Sequence, residues 1–347
     1  MVIRNLLLRL HGAALVSAAA AAFASAAAQD RATAAPVRSV APRWMVVAPD
    51  AALAWFTVLA DLRLAGAGAL DFTAPQAPGA SARPPALAHA LEGTRDGEIL
   101  HFVPLYHPSA DRAALAAALR GAVGDGAPSA RATLLTGALR GALTPARRRD
   151  LLPPLADALL RAVPDVPDPA GLATWQRLFD AEFGPALAPW LRLESLDEGR
   201  LIVAPGIGPE GRIFSATADR RDNLVAVGSF AGDADVAAPL YAFTREVCFP
   251  AVTRAARAAQ LDARDPGAAR RASVAAVRCG AALLDLRLPS RAAAYRSFWS
   301  RRIAAHDATA TERRTATEFD RHFPPDAAFT DALARELRRL VPAPGGP

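Results

Sequence analysis

Three short strand-like segments in the middle of the sequence constrain the fold of this chain most. Residues 200–204 (RLIVA), 212–215 (RIFS) and 223–228 (NLVAVG) are joined by the turn-rich segments PGIGPEG and ATADRRD. This spacing predicts an antiparallel meander. The sequence that follows has helical spacing at about 235–261, 267–288, 290–304, 309–321 and 325–341. The predicted fold class is therefore α+β, mostly α-helical with a small antiparallel sheet.

The first half of the sequence predicts a mixed, largely helical region. Residues 43–48 (RWMVVA) and 98–106 (EILHFVPLY) are typical of strands, and Asp50 opens a helix. Further helices are predicted from the leucine and aromatic positions within 115–119, 134–139, 151–160 and 172–183. Although 52% of the residues are hydrophobic, about a quarter of the chain is alanine, so bulky core residues are fewer than that percentage indicates. We divide the chain into this region, 43–198, and a region at 199–341 that holds the meander and the later helices.

The N-terminus has the pattern of a secretory signal peptide. Arg4 and Arg9 precede an apolar, alanine-rich stretch from Gly12 to about Ala22, and small residues up to Ala28 are followed by polar ones. We predict a signal peptide at 1–28, a disordered leader at 29–42, and a periplasmic or extracellular bacterial protein. A membrane anchor is the competing interpretation, but it needs ~20 strongly apolar residues. No later stretch is apolar enough to span a bilayer.

The charge distribution argues against a nucleic-acid partner. All 40 basic residues are arginine, 34 residues are acidic, and the net charge is +6. The two signs are interleaved, and the run Arg147–Arg149 is too short for the clustered basic surface that nucleic-acid binding needs. The sequence pI of about 10.4 follows from arginine, which does not titrate in the ordinary range.

Two cysteines, Cys248 and Cys279, lie on successive predicted helices. Because an exported protein meets an oxidising compartment, we predict a disulfide between them. Two buried free thiols are the alternative.

Several catalytic patterns are absent or incomplete. Residues 206–211 spell G-x-G-x-x-G, but the extended segment 212–215 follows where a dinucleotide site needs a helix, and Pro209 lacks a backbone donor. We expect a hairpin turn there with Glu210 exposed. No G-x-S-x-G motif occurs, and the six histidines have no metal-ligand spacing. His101 is expected to be a hydrogen-bonded structural histidine, and no cofactor is predicted.

Residues 239–254 (PLYAFTREVCFPAVTR) predict a helix soon after the third strand. The order of strands followed by L-Y-x-F-T-R-E-V-C-F-P, over residues 200–290, resembles the active-site helix of zincin metallopeptidases. In that family H-E-x-x-H places two histidines on one helix face to hold Zn²⁺, and the glutamate activates water. Glu246 matches the general base, whereas Arg245 and Phe249 occupy both histidine positions.

The resemblance implies a zincin-like scaffold with a degenerate site. A guanidinium has no free lone pair for zinc and phenyl cannot ligate, so Glu246 would have no metal-bound water to activate. It also implies that the strand before this helix lies where substrate backbone binds, and that Asp285 is the acid available on the next helix. The alternative is a buried amphipathic helix kinked at Pro250, with Arg245 paired to Glu246 or to an acid on the next helix.

These observations favour an exported bacterial protein that is non-catalytic and zincin-like, and that acts by binding a protein or peptide or by structural interaction. The sequence favours a protein that is not an enzyme over one that is, since Arg245 and Phe249 cannot ligate a metal. The alternative is a hydrolase or metallopeptidase whose ligands are not recognisable. An envelope-associated structural factor is a third interpretation.

Overall fold

A computed structural model describes residues 42–62, 87, 91, 96–215, 223–230, 233–261, 266–304 and 316–340. The predicted signal peptide and all of the leader except residue 42 lie outside these residues. The strands are β1 (Arg43–Val47), β2 (Glu198–Val203), β3 (Arg212–Ser215) and β4 (Asn223–Val227). The helices before β2 are α1 (Asp50–Asp61), α2 (Asp96–Leu100), α3 (Val103–Tyr106), α4 (Arg112–Gly121), α5 (Thr133–Ala142), α6 (Pro145–Arg161), α7 (Pro169–Leu178) and α8 (Gly184–Leu193), with a π-helical turn at Phe179–Phe183. Those after β4 are α9 (Ala238–Glu246), α10 (Phe249–Ala258), α11 (Pro266–Arg287), α12 (Pro289–Ala304), α13 (Ala316–His322) and α14 (Ala327–Arg338).

The fold class prediction is confirmed, since most described residues are helical and the four strands form one small sheet. The predicted meander is wrong. The strand order is β1-β2-β4-β3, with β1, β2 and β4 parallel and only β3 antiparallel to β4. The segment between β2 and β3 passes over β4 rather than forming a hairpin, so the sheet is mixed.

The sheet lies between two apolar layers, because successive side chains of a strand point to opposite faces. Leu201 and Val225 pack with the helices α8 to α14, whereas Ile202 and Leu224 pack with α1, α4, α5 and α6. β4 is buried along its whole length. Burial of both faces explains the continuous apolar runs of β2 and β4, which are typical of parallel strands.

The predicted strand at 98–106 is wrong. These residues form the end of α2 and the short helix α3. Pro104 lies in the first turn of α3, where the missing N–H of proline is not needed.

The predicted helix at 235–261 is interrupted between Glu246 and Phe249, so it is two helices rather than one kinked helix. Pro250 causes the break, because proline has no N–H to donate to the Glu246 carbonyl and its ring would clash there. The carbonyl that the break leaves at Val247 accepts a hydrogen bond from Trp190 Nε1 at 2.9 Å. The fully buried Trp190 therefore fixes the position of the break.

The outer edge of β1 is covered by a side chain from α7. The Gln176 Oε1 atom accepts a hydrogen bond from the Val46 N–H at 2.8 Å, and Gln176 Nε2 donates to the Trp44 carbonyl at 3.1 Å. One amide thus takes the hydrogen bonds that a neighbouring strand would make.

Within the described residues, none of the helices combines the length and the apolar character that crossing a membrane requires.

Candidate functional site: a buried arginine–glutamate cluster

The segment that resembles the zincin helix lies in a buried charged cluster. Arg245 and Glu246 form the last turn of α9 and are each 1% exposed. Glu210 reaches them from the loop between β2 and β3 and is 6% exposed, and Ser273 reaches them from α11. The prediction of an exposed Glu210 is therefore wrong, because its partner Arg245 lies 35 residues away in sequence.

Arg245 is the centre of the cluster. Its Nη2 atom donates to Glu210 Oε1 at 2.6 Å and to the Ser273 hydroxyl, and its Nη1 atom donates to Glu246 Oε1. The Ser273 hydroxyl in turn donates to Glu210. Of the two pairings that the sequence leaves open for Arg245, the structure contains the one with Glu246, and Glu210 is a further partner that the sequence does not reveal.

Aromatic rings close the other side of the guanidinium. Arg245 Cζ lies 4.6 Å from the centroid of the Phe249 ring and 5.7 Å from that of a Trp299 ring. Arg245 and Phe249 therefore lie together, as their spacing predicts, even though they belong to two helices. A planar guanidinium stacks on rings while donating at its edge, which lysine cannot do.

The charges in the cluster balance. Burial raises the pKa of the Glu246 carboxyl, and Arg245 and Arg212 lower it in part. Burial lowers the pKa of Arg245, but Glu246 and Glu210 outweigh that effect and raise it overall. Arg212, whose pKa burial lowers, donates to the Gly211 carbonyl at 2.7 Å. Two arginines and two glutamates thus compensate one another inside the protein.

Two glycines of the G-x-G-x-x-G segment lie so close to neighbouring atoms that a side chain would not fit. A Cβ at Gly211 would lie 2.5 Å from the Ala226 carbonyl oxygen and 2.8 Å from Glu246 Cγ. A Cβ at Gly206 would lie 2.4 Å from the Phe56 carbonyl oxygen. Because glycine has no Cβ atom at these two positions, the loop can pack directly against β4 and α1. This close packing places Glu210 in the interior.

The geometry around β4 differs from what the zincin resemblance implies. β4 contacts α9, as that interpretation requires. However, β4 is hydrogen-bonded to β2 on one side and β3 on the other, so it has no free edge for a substrate backbone. Asp285 on α11 pairs with Arg296, with Nη1 and Oδ1 2.9 Å apart. Within the described residues, no group of three or more histidine, cysteine, aspartate or glutamate side chains is arranged to hold a metal ion.

Cys248 and Cys279 lie beside the cluster as buried free thiols whose side chains are in near contact. Burial raises the pKa of the Cys248 thiol, and the contact with Cys279 raises it further. The structure contains no bridge between them, so the disulfide in exported material stays a prediction.

In the reduced, folded protein we expect neither thiol to react with iodoacetamide, because the thiolate is the nucleophile and both sulfurs are covered. The same protein unfolded in urea should take up two equivalents, one for each cysteine. Intact-mass measurement distinguishes the two states, and alkylation of the native protein at the unfolded rate would contradict the burial. Peptide mapping of exported material without reductant tests the disulfide separately, and two free thiols there would exclude it.

His101 is buried as expected, and burial together with Arg212 lowers its pKa to about 3. Its Nε2 atom has no hydrogen-bond partner among the described residues, so the expectation of a fully hydrogen-bonded histidine is wrong for that atom. His101 lies just before α3, and Arg212 begins β3. Tyr106 on α3 contacts Phe214 on β3 with 4.7 Å between ring centroids, which holds these two elements together.

Comparison of the chain with protein-family models, with curated proteins and with solved structures gives no match.

Proposed function

We propose that this chain is an exported, non-catalytic protein that acts by binding a protein or peptide, and that its Arg-Glu-Val-Cys-Phe segment is structural. The observation that carries the proposal is the engagement of Glu246 by Arg245 inside the buried cluster. Export is proposed from the pattern of residues 1–28.

The burial of Glu246 supports a structural role. A general base must lie within hydrogen-bond reach of the proton that it removes, or reach it through one water. The Glu246 side chain is only 2% exposed and its carboxylate already accepts from Arg245. Turning it towards a substrate would leave a buried guanidinium short of one of its two carboxylates, which is costly.

The zincin-like scaffold remains part of the proposal as a resemblance of segment order, supported by the packing of β4 on α9. A hydrolase is the second candidate, and His101 favours it. A pKa of about 3 makes His101 a weak base, but the unoccupied Nε2 atom of its neutral imidazole can ligate a metal ion.

Zinc titration and a protease assay test the proposal on residues 29–347. We expect no stoichiometric zinc binding by calorimetry, and the same background cleavage of casein for the wild type and for Glu246→Gln. Stoichiometric zinc together with cleavage that Glu246→Gln abolishes would defeat the non-catalytic proposal. His101→Ala is the matched variant for the hydrolase candidate, because activity lost in that variant alone would favour chemistry at His101.

A further inference from the structure

A crevice of about 450 Å³ lies between α11, α12 and α13. Three of the residues that line it are Ala281, Ala282 and Ala293, whose short side chains leave the space between the helices unfilled. Sites for small ligands have volumes of roughly 300–1,000 Å³ and combine apolar surface with a few polar groups. The crevice therefore has the size of a small-ligand site, and alanine at these positions keeps it open.

Two ion pairs lie along the crevice. Arg278 on α11 donates to Asp320 on α13, with Nη1 and Oδ1 2.6 Å apart. Arg296 on α12 donates to both carboxylate oxygens of Asp285 on α11, at 2.9 Å to Oδ1. Arg278 and Asp285 are seven residues apart on one face of α11, so the two pairs are separated by about 10 Å along the helix.

The crevice offers polar groups that the protein itself leaves unpaired. The Oδ2 atom of Asp320 and the Nε atom of Arg296 form no hydrogen bond with another described residue. Ser300 also lines the crevice, is only 2% exposed, and has a hydroxyl without a hydrogen-bond partner in the described part of the chain. A buried hydroxyl is costly to leave unpaired, so Ser300 points to a ligand that pairs with it.

The charges of the crevice select a ligand that carries both signs. Its two arginines and two aspartates sum to zero. A purely anionic ligand would meet like charges at Asp285 and Asp320, and a purely cationic one would meet them at both arginines. A ligand with one charge of each sign avoids both conflicts. An extended dipeptide separates its ammonium and carboxylate by about 7 Å, which covers the distance between the ion pairs once a hydrogen bond is added at each end.

We propose that this crevice binds a short peptide, about two residues long, in its zwitterionic form. The ammonium donates to Asp320 Oδ2, the carboxylate accepts from Arg296 Nε, and the peptide main chain pairs with the Ser300 hydroxyl. An apolar side chain of the ligand packs on Phe319, which also lines the crevice.

This inference rests on the peptide-binding part of the proposed function and not on the Arg245 cluster, with which the crevice shares no residue. Zinc binding and proteolysis at that cluster would defeat the non-catalytic proposal and leave the crevice proposal standing. Failure to bind the dipeptide would do the reverse.

Isothermal titration calorimetry of residues 29–347 with L-alanyl-L-leucine tests the proposal. We expect one-to-one binding. N-acetyl-L-alanyl-L-leucine lacks the ammonium and L-alanyl-L-leucinamide lacks the carboxylate, so each should bind at least about tenfold more weakly through the loss of a charge-assisted hydrogen bond. No binding of the dipeptide, or binding of either analogue as tight as that of the dipeptide, would overturn the proposal.

Two variants test whether the ligand lies in the crevice. Ala282→Leu puts a larger side chain between Arg278 and Asp285 on α11 and should abolish measurable binding, and Ser300→Ala should weaken binding by about three- to tenfold. Ala117→Leu is the matched control, because Ala117 is exposed on α4 and does not line the crevice, and it should leave binding unchanged. Circular dichroism checks that each variant is folded. Dipeptide binding that Ala282→Leu and Ser300→Ala leave unchanged would overturn the proposal.

Discussion

Replacing Arg245 by methionine is expected to lower the free energy of unfolding by about 3–5 kcal/mol, because it leaves two carboxylates in the interior without their shared cation. Urea unfolding followed by circular dichroism measures the change. Arg120→Met is the control, since Arg120 and Asp157 form an ion pair whose side chains are 47% and 50% exposed. Its loss should cost less than about 1 kcal/mol.

A second comparison separates the charge from the packing. The double variant Arg245→Met/Glu246→Gln removes one charge of each sign, keeps similar volumes and leaves Arg212 with Glu210, so it should recover most of the stability that Arg245→Met loses. Equal losses in the single and double variants would show that the shape of Arg245 matters and its charge does not. A loss from Arg245→Met no larger than that from Arg120→Met would contradict the cluster itself.

The cluster also gives a pH dependence. The pKa of Glu246 is higher in the folded state than in the unfolded state. At a pH between these two pKa values the folded protein therefore binds more protons than the unfolded chain does. The contribution of Glu246 to stability therefore falls as pH rises through that window, and is largest below the ordinary carboxyl range. Glu246→Gln removes this dependence, so the difference between its stability and that of the wild type should change with pH in this window.

Gly206→Ala is expected to destabilise the protein by about 1–3 kcal/mol or more, because the new Cβ would meet the Phe56 carbonyl oxygen at 2.4 Å and its carbon at 2.6 Å. Both are backbone atoms, so no side chain can rotate away. The matched control is Gly137→Ala within the exposed face of α5, where nothing lies within 4 Å of the Cβ.

The control should stabilise the protein by about 0.5–1 kcal/mol, since alanine favours a helix interior over glycine. The same chemical change is thus expected to have opposite signs at the two positions. Urea unfolding of both variants measures this, and stabilisation by Gly206→Ala would contradict the close approach of the loop to α1.

Local signals in the sequence identify the strands at 200–204, 212–215 and 223–228 and the start of α1, because each depends on residue types within a few positions. The order of the strands depends on contacts with β1, more than 150 residues earlier, and turn patterns do not contain that information. The unbroken apolar runs of β2 and β4 were the available sign of parallel pairing.

The sequence predicts the contacts of Arg245 within its own segment, but not its contact with Glu210. The Arg245–Glu246 contact is between neighbours, and the relation of Arg245 to Phe249 follows from helical spacing. The sequence predicts Glu210 on the surface, because a charged residue in a glycine-rich turn usually lies there. Only the close packing that Gly206 and Gly211 permit brings this carboxylate to the guanidinium.

The amide of Gln176 has a consequence for the solubility of the folded protein. It both donates to the Trp44 carbonyl and accepts from the Val46 N–H, and only an amide side chain offers a donor and an acceptor in this arrangement. Deamidation to glutamate would place an acceptor-only carboxylate against the Trp44 carbonyl. The outer edge of β1 would then keep one of its two hydrogen bonds to α7, so a single chemical change would weaken the cover that protects this edge from pairing with a strand of another molecule.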